Sequence, residues 1–486
     1  MITFQDFEKM REQNGIEKAI ETVIDMHTAS TVYQTALDAD AYDHQQNTTI
    51  MNYVKKLYNS SGAEFADPTA SNNKLCSNFF RKLNTQRCNY SLGNGVSFSQ
   101  HKTKKIDPET HIETTVDETK ARLGAKFDTA LKKVAYFGLI HGESFGLWDL
   151  NKLTPLKITN FAPLVDEETS ELKAGVRFWQ IDSEHPQMAI LYEIDGWSRY
   201  RKDTGEGFRQ IQALTPYIKR TTGSKEGGIS SVDFKSYDGK LPIIPFYGSE
   251  LQQSTLVGMK GKIDAFDLIG SGFANDLEDC AMVYWILENA GGMDEVDMAD
   301  FMKRLKFQHV AKVDTKESKA TPYTQEIPTE ARETFKTQIR SEIYEDFGAL
   351  DVHTIAAGAT NDHIDAAYQP LDDNADDFEF QVSEFLEGLL ALLGIEDSPI
   401  FKRNRISNQG EQTTMVLSAS DYLDDETILN HLPFINIDEI PNILIKKDQE
   451  MADRFEDTTE DEEEDEEKDD QTKTGAGAGK EDAANS

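Results

Sequence analysis

The chain has 486 residues and a formal net charge of −37, with 87 acidic residues against 50 Lys and Arg. Proteins that grip nucleic acid tightly and generally displace counterions with Lys and Arg, so this balance excludes that class, while the length asks for about two to four folded regions. The sparse cysteines (Cys76, Cys88, Cys280) make no disulfide framework or zinc spacing and point to a reducing compartment; no run of about 18 uncharged apolar residues could span a membrane, and Met1 to Glu8 lacks the basic-then-apolar order of a signal peptide.

In chain order, residues 1–60 read as helical, with Phe7, Met10, Ile16, Ile20, Val23 and Ile24 at helical spacing and another short run at Val54 and Leu57. A helix is expected over 74–90, stopped by Gly93-Asn94-Gly95, and another over 118–140. From about 139 to 247 the period shortens. Runs at Leu139–Ile140, Phe145–Trp148, Ile158–Phe161, Val176–Trp179, Met188–Ile194 and Trp197–Tyr200, separated by turn residues, predict an antiparallel β-rich region. Trp148, Trp179 and Trp197 lie in these runs and are most simply core.

After Leu241–Phe246 a long helical pattern begins, carried by Leu256, Met259, Ile263, Phe266, Phe273 and Leu277. Gly258, Gly261, Gly270 and Gly272 sit inside it, each costing about 1 kcal/mol in a helix interior; close helix contact or a bend would explain keeping them. A mixed insertion follows, with strands at Met282–Leu287, Phe307–Val313 and Pro322–Ile327 and a small helix over Met298–Leu305. A second long helix starts after Pro328 with Thr329 as its N-cap, and Phe335, Ile339, Ile343 and Phe347 form one stripe. Residues 351–362 read as a loop. The next helix is expected to kink or restart at Pro370 and continues through Phe378, Val382, Phe385 and Leu389. Segments over 395–452 are short and mixed. Thirteen acids between Asp453 and Asp470 leave nothing to bury, so 453–486 reads as a disordered acidic tail.

In that order of elements the chain resembles the portal proteins of tailed phages, SPP1-type. The likeness covers about residues 30–395 and rests on four stretches: Asn73–Phe80 with Tyr90–Val96; Leu241–Phe246; Leu256–Asp279, with Ile263–Phe266 and Phe273–Asp276; and Glu326–Pro328 with Gly358–Thr360. The family has proline where Val96 stands here. The resemblance implies an α+β portal fold. It has an α/β wing over 1–249, two long stem helices over 250–281 and 329–350, and a small α/β clip over 282–328. A tunnel loop over 351–363, a kinked wing helix over 364–394 and a crown or C-terminal segment over 395–452 complete it.

It also implies a ring, in this family of twelve subunits, at one capsid vertex. Such a ring is conduit and valve for double-stranded DNA in packaging and ejection. It docks the packaging terminase and later the head–tail adaptor, and works beside scaffolding and major capsid proteins. The place implied is the virion, and the host cytoplasm during assembly; no membrane, cofactor, metal or catalysis is implied. Tunnel-loop candidates are Asp351, His353, Gly358, Thr360, Asn361 and Asp362. Lys336 and Arg340 are expected to line the channel as weak basic rings. Trp285, Met298 and Phe301 are the clip residues expected to touch partners.

Other classes stay in view: an acidic capsid-associated scaffold without a channel, and a packaging enzyme. Against the enzyme, the chain has no Walker A motif and no HExxH. His141-Gly-Glu143 echoes a deaminase HxE but no PCxxC follows. Gly475–Lys480 echoes a phosphate loop without its spacing. Asp372, Asp373, Asp376 and Asp377 could hold a divalent cation, but a solvated helix start is the simpler reading. His353 and His363 could pair across the loop, and Cys76 and Cys88 read as buried thiols.

Overall fold

The N-terminal helices begin where the sequence offers caps. Thr3 accepts from the Asp6 amide and opens α1 (Phe4–Asn14). Gly15, at φ 84°, turns the chain into α2 (Ile16–Thr28). Ser30 caps α3 (Thr31–Asp43) and Asn47 caps α4 (Thr48–Met51). The run at Val54 and Leu57 is not helical: Lys56–Tyr58 pairs antiparallel with Glu64–Ala66. Helix α5 (Phe79–Leu92) starts later than expected, because the preceding amides are used elsewhere. The expected 118–140 helix is two, α6 (Glu118–Leu123) and α7 (Phe127–His141), split at Gly124, whose φ is 93°. Leu139 and Ile140 belong to the end of α7, not to a strand.

This computed structural model describes residues 2–58, 62–66, 71–106, 113–223, 229–235, 237, 239–280, 284–288, 319–323, 328–355, 360–405, 409–432, 434–435, 440, 443–447 and 449. The β region is antiparallel, as its turn signals predict. Phe161–Val165, Leu172–Trp179, Gln187–Glu193, Gly196–Lys202 and Phe208–Thr215 form a five-stranded meander in sequence order. Glu143–Asp149 lies between Ile243–Tyr247 and Lys152–Lys157 in a second sheet. Pro245 sits on an edge strand there, where its missing N–H costs no ladder bond.

Helices α8 (Leu256–Cys280) and α9 (Thr329–Phe347) are the two long rods expected. Thr329 is the first helical residue, not the cap; Pro328 precedes it and makes no side-chain cap. Between the rods, Tyr284–Glu288 pairs antiparallel with Lys319–Tyr323. The helix expected over 298–305, with Met298 and Phe301, and the strand over 307–313 lie outside the described residues. So does the acidic tail.

Helix α10 (Asn361–Leu393) runs through Pro370 without the interruption expected there. One lost backbone bond is outweighed by burial on both sides of the proline, at Tyr368, Leu371, Ala375 and Phe378. Farther along, Phe378, Val382, Phe385 and Leu389 pack into one core with Leu92, Phe127, Leu131 and Val134. Gly146 makes room for it: a Cβ there would lie 2.5 Å from the Phe385 ring. Pro399–Phe401 then pairs with Val96–Phe98.

The chain divides into two units. The larger comprises Met1–His101, Thr119–Val352 and Tyr368–Asn404, and the smaller Lys102–Glu118, His353–Ala367 and Arg405–Ser486. The smaller holds the Lys102–Ile106/Glu113–Asp117 hairpin, α11 (Gln409–Ser418) and α12 (Asp425–His431), the last capped by Asp424.

Candidate functional site

The paired rods are the feature that the fold builds most deliberately. At 1.5 Å per residue, the 25 residues of α8 span roughly 38 Å and the 19 of α9 roughly 28 Å. They run antiparallel. Lys262 of α8 reaches Glu342 at 3.3 Å and Asp346 at 2.5 Å, Lys336 of α9 lies 4.7 Å over the Phe266 ring, and Arg332 pairs with Asp276. Apolar contact holds one end: Leu256, Met259 and Ile263 share a core with Ile339, Ile343, Tyr344 and Phe347. Phe79 of α5 wedges edge-on against Phe266 and Tyr344. The expected stripe on α9 is buried at Ile339, Ile343 and Phe347, but Phe335 is 41 % exposed. The rods are thus rooted by apolar packing at one end and joined by polar contacts toward the other.

Four polar residues of α8 that sequence reasoning passed over root it further. The Asn73, Leu75 and Ser77 amides donate to Asn275 Oδ1 (2.6 Å), Ser271 Oγ (2.9 Å) and Asp267 Oδ1 (2.9 Å). Asn47 also donates to Asp267 at 2.9 Å, and Thr49 and Tyr42 donate to Asp264. Burial pushes the Asp267 carboxyl up. The acceptors recur every four residues, on one helix face, while the donors recur every two, as in an extended chain. This docking takes the amides before Phe79 out of the helix that the sequence suggested. Polar residues at four-residue spacing, Asp267, Ser271 and Asn275, were the available signal.

The glycines of α8 make no close packing contact among the described residues. A Cβ on Gly258, Gly261 or Gly272 would have no atom within 4 Å, and one on Gly270 would find only Lys336 Nζ at 3.6 Å. Close contact within the chain is therefore not their reason. Beside Gly272 lies a cleft of about 660 Å³ walled by Tyr53, Leu268 and Phe335.

The C-terminal end of α9 is gripped at Gly348, in the left-handed region at φ 58°. The Asn374 amide donates to Phe347 O (2.9 Å), Gly348 O (3.1 Å) and Pro370 O (3.2 Å). Arg87 donates to Asn374 Oδ1 and stacks 4.9 Å from the Phe347 ring. Burial lowers Arg87 to about 10, opposed by the Asp377 charge, so it stays protonated at neutral pH. Gln86 exchanges two hydrogen bonds with Leu350.

The sequence-predicted site residues land as follows. Arg340 makes a bidentate pair with Asp351 (2.9 and 2.8 Å) and stacks on Tyr344. Each basic residue of α8 and α9 is held: Lys260 by Asp38, Lys262 and Arg332 by carboxylates, Lys336 by an aromatic ring, and Arg340 by both kinds. His353 is exposed in the short 3₁₀ turn Val352–Thr354. Thr360 Oγ1 lies 2.8 Å from His363 Nδ1, and the Asn361 amide donates to Glu411 at 2.8 Å. Asp362 is exposed near the start of α10. Gly358 lies outside the described residues. Trp285 falls on the Tyr284–Glu288 strand, opposite Pro322.

The aspartates over 372–377 are not a solvated helix start. They sit mid-helix, where Arg403 clamps Asp372 and Asp376 together with Glu379. No group of three metal-ligating side chains occurs among the described residues. His141 is buried against Asp40 at 3.0 Å, and the neighbouring Glu143 is buried with its carboxyl pushed up to about 7 by desolvation. Cys88 is buried as expected, with its thiol pushed up to about 12, while Cys76 is only partly covered. Among the described residues no helix is long and apolar enough to cross a membrane.

Residues 33–467 match the family model described as "Phage portal protein, SPP1 Gp6-like". The portal protein of Bacillus phage SPP1 is 22% identical over 415 residues, covering 78% of this chain and 77% of that protein. The portal protein of Clostridium phage phiCD119 is 29% identical over 231 residues; the match takes 45% of this chain and spans about half, 51%, of that relative.

Proposed function

The chain belongs to the SPP1 Gp6-like phage portal proteins, and from that premise we propose that copies of it close into a ring whose bore is walled by α8 and α9. The ring is a conduit and valve for double-stranded DNA at one capsid vertex, with twelve copies as in the family. Residues 282–328 form the clip that meets the packaging terminase and then the head–tail adaptor, through Trp285, Met298 and Phe301. Scaffolding and major capsid proteins surround the ring, in the host cytoplasm during assembly and in the virion afterwards. The family is structural rather than enzymatic, and no cofactor enters the reading.

One observation carries the proposal for the bore: four of the five cations on the two rods pair with carboxylates within the chain, and the fifth, Lys336, lies against an aromatic ring. The rods keep five acidic residues each against two basic residues on α8 and three on α9. DNA presents about one negative charge per 1.7 Å of axis, and at physiological salt charges act over about 8 Å. A wall without free cations lets phosphates pass without adsorbing. In this reading Lys336 and Arg340 are wall residues of damped charge rather than basic rings. The valve is the stretch from Asp351 through His353, Gly358, Thr360, Asn361 and Asp362, a hinge-type element between two packings.

A ring needs two different surfaces on each copy, joined head to tail. The bare glycines of α8 and the cleft beside Gly272 supply one candidate. Negative-stain imaging of the purified chain tests the reading: rings with a central hole are expected, and compact lone monomers at micromolar concentration would sink it.

A further inference from the structure

The five-stranded meander contains two arginines that pair with no carboxylate among the described residues. Arg177 stands opposite Ile190, and Ile190 opposite Arg199, so the three share one face of adjacent strands. With strands about 4.8 Å apart, the arginine backbones are roughly 10 Å from each other. In a chain of net charge −37, neither guanidinium pairs with a carboxylate among the described residues, and both Nε atoms are buried without an acceptor. Each lies over a tryptophan, Arg177 over Trp179 at 5.3 Å and Arg199 over Trp197 at 5.6 Å, which fixes the guanidinium planes.

Both arginines line a pocket of about 280 Å³, walled by Trp148, Tyr192, Trp197 and Tyr217. Trp148 is 2 % exposed, and its Nε1–H is buried with no acceptor. The remaining charged lining residues, Asp149 and Lys152, pair with each other at 3.7 Å. Two guanidiniums without a carboxylate partner among the described residues thus line one aromatic-walled concavity, Arg177 also bonding to the Tyr192 side chain. Both arginines are only half-buried, and a charged oxyanion would accept from their remaining guanidinium nitrogens with the strongest class of hydrogen bond.

We propose that this pocket binds a nucleotide-type anion, its phosphate between Arg177 and Arg199 and its base against the aromatic walls. The flat walls decide between occupants. An acidic peptide would neutralise the arginines but leave the rings without a planar partner, whereas base-on-aromatic stacking uses them. The inference does not depend on the ring or the bore.

Titration of the full-length chain with deoxyadenosine monophosphate, followed by tryptophan emission, tests it. Three of the four tryptophans stand in or beside the pocket. Saturable quenching with a midpoint below about 1 mM is expected. Arg177→Gln and Arg199→Gln should each weaken it about tenfold or more, as losing one charge-assisted bond implies. Should a glutamine variant fail to fold by circular dichroism, Arg199→Lys keeps the charge, loses the fork and should still bind more weakly. Inorganic phosphate binding as tightly as the nucleotide would overturn the role of the rings. A synthetic peptide of residues 453–470 binding where the nucleotide does not would hand the pocket to an acidic protein segment. No response of the wild-type chain to any of the three would leave the arginines purely structural.

Discussion

At Gly348 the backbone is left-handed, and a Cβ would lie 1.8 Å from the Asn374 amide nitrogen. Gly348→Ala should therefore cost about 1–2 kcal/mol from backbone conformation alone, with more from displacing Asn374; chemical denaturation measures it, and Asn374→Ala in the same chain should recover part of the steric share. Glu143 makes a prediction in pH. Its folded carboxyl titrates near 7 against an ordinary 4.5, because burial disfavours the charge. The folded state therefore holds a proton that the unfolded chain releases, and stability falls as pH rises from about 4.5 to about 7. Glu143→Gln should remove that slope and leave the variant more stable above pH 7, by on the order of 3 kcal/mol; parallel denaturation curves at pH 5 and 8 for both chains would refute it. Asp351 cannot be used as a simple charge probe of the valve, since Arg340 needs it. Asp362→Lys is the cleaner change, and slower DNA packaging by particles carrying it is the expected result.

The elements divide by how local their causes are. The long helices α8, α9 and α10 were legible because their apolar spacing is sustained. The antiparallel strands were legible because turn residues separate them. What escaped was set by distant partners. The start of α5 depends on side chains of α8 nearly two hundred residues away, and Asp372 and Asp376 are joined by Arg403, about thirty residues on. The same non-locality hid the partners of Lys336 and Arg340, since Phe266 and Asp351 are assigned by packing rather than by spacing. Asp267→Ala removes the acceptor of both Asn47 and Ser77 and should destabilise by about 1–3 kcal/mol per stranded donor. Faster amide exchange over residues 73–77 and the middle of α8 is the measurement that localises the loss.

For the whole molecule, charge dominates. Copies carrying −37 each repel one another, and the Debye length shrinks from about 30 Å at 0.01 M salt to about 8 Å at 0.15 M. Assembly should strengthen with salt, read by mass photometry at 20 and 300 mM; an assembly that falls apart as salt rises would mean that ion pairs rather than apolar contacts join the copies. Mobility-shift assays at 50 mM salt should show no retention of double-stranded DNA, because a chain without free cations on its rods releases few counterions. Retention there would contradict a non-adhesive bore.

The seam between residues 73–77 and α8 has a built-in length limit. Two residues of extended chain advance roughly 6.7 Å, whereas four residues of helix advance roughly 6.0 Å. The two scales drift by about 0.7 Å per step, like the graduations of a vernier. Three matched bonds, Asn73 to Asn275, Leu75 to Ser271 and Ser77 to Asp267, fit within hydrogen-bond tolerance, but several more would not. The segment must part from the rod after a few steps, and it does so by turning into α5 at Phe79.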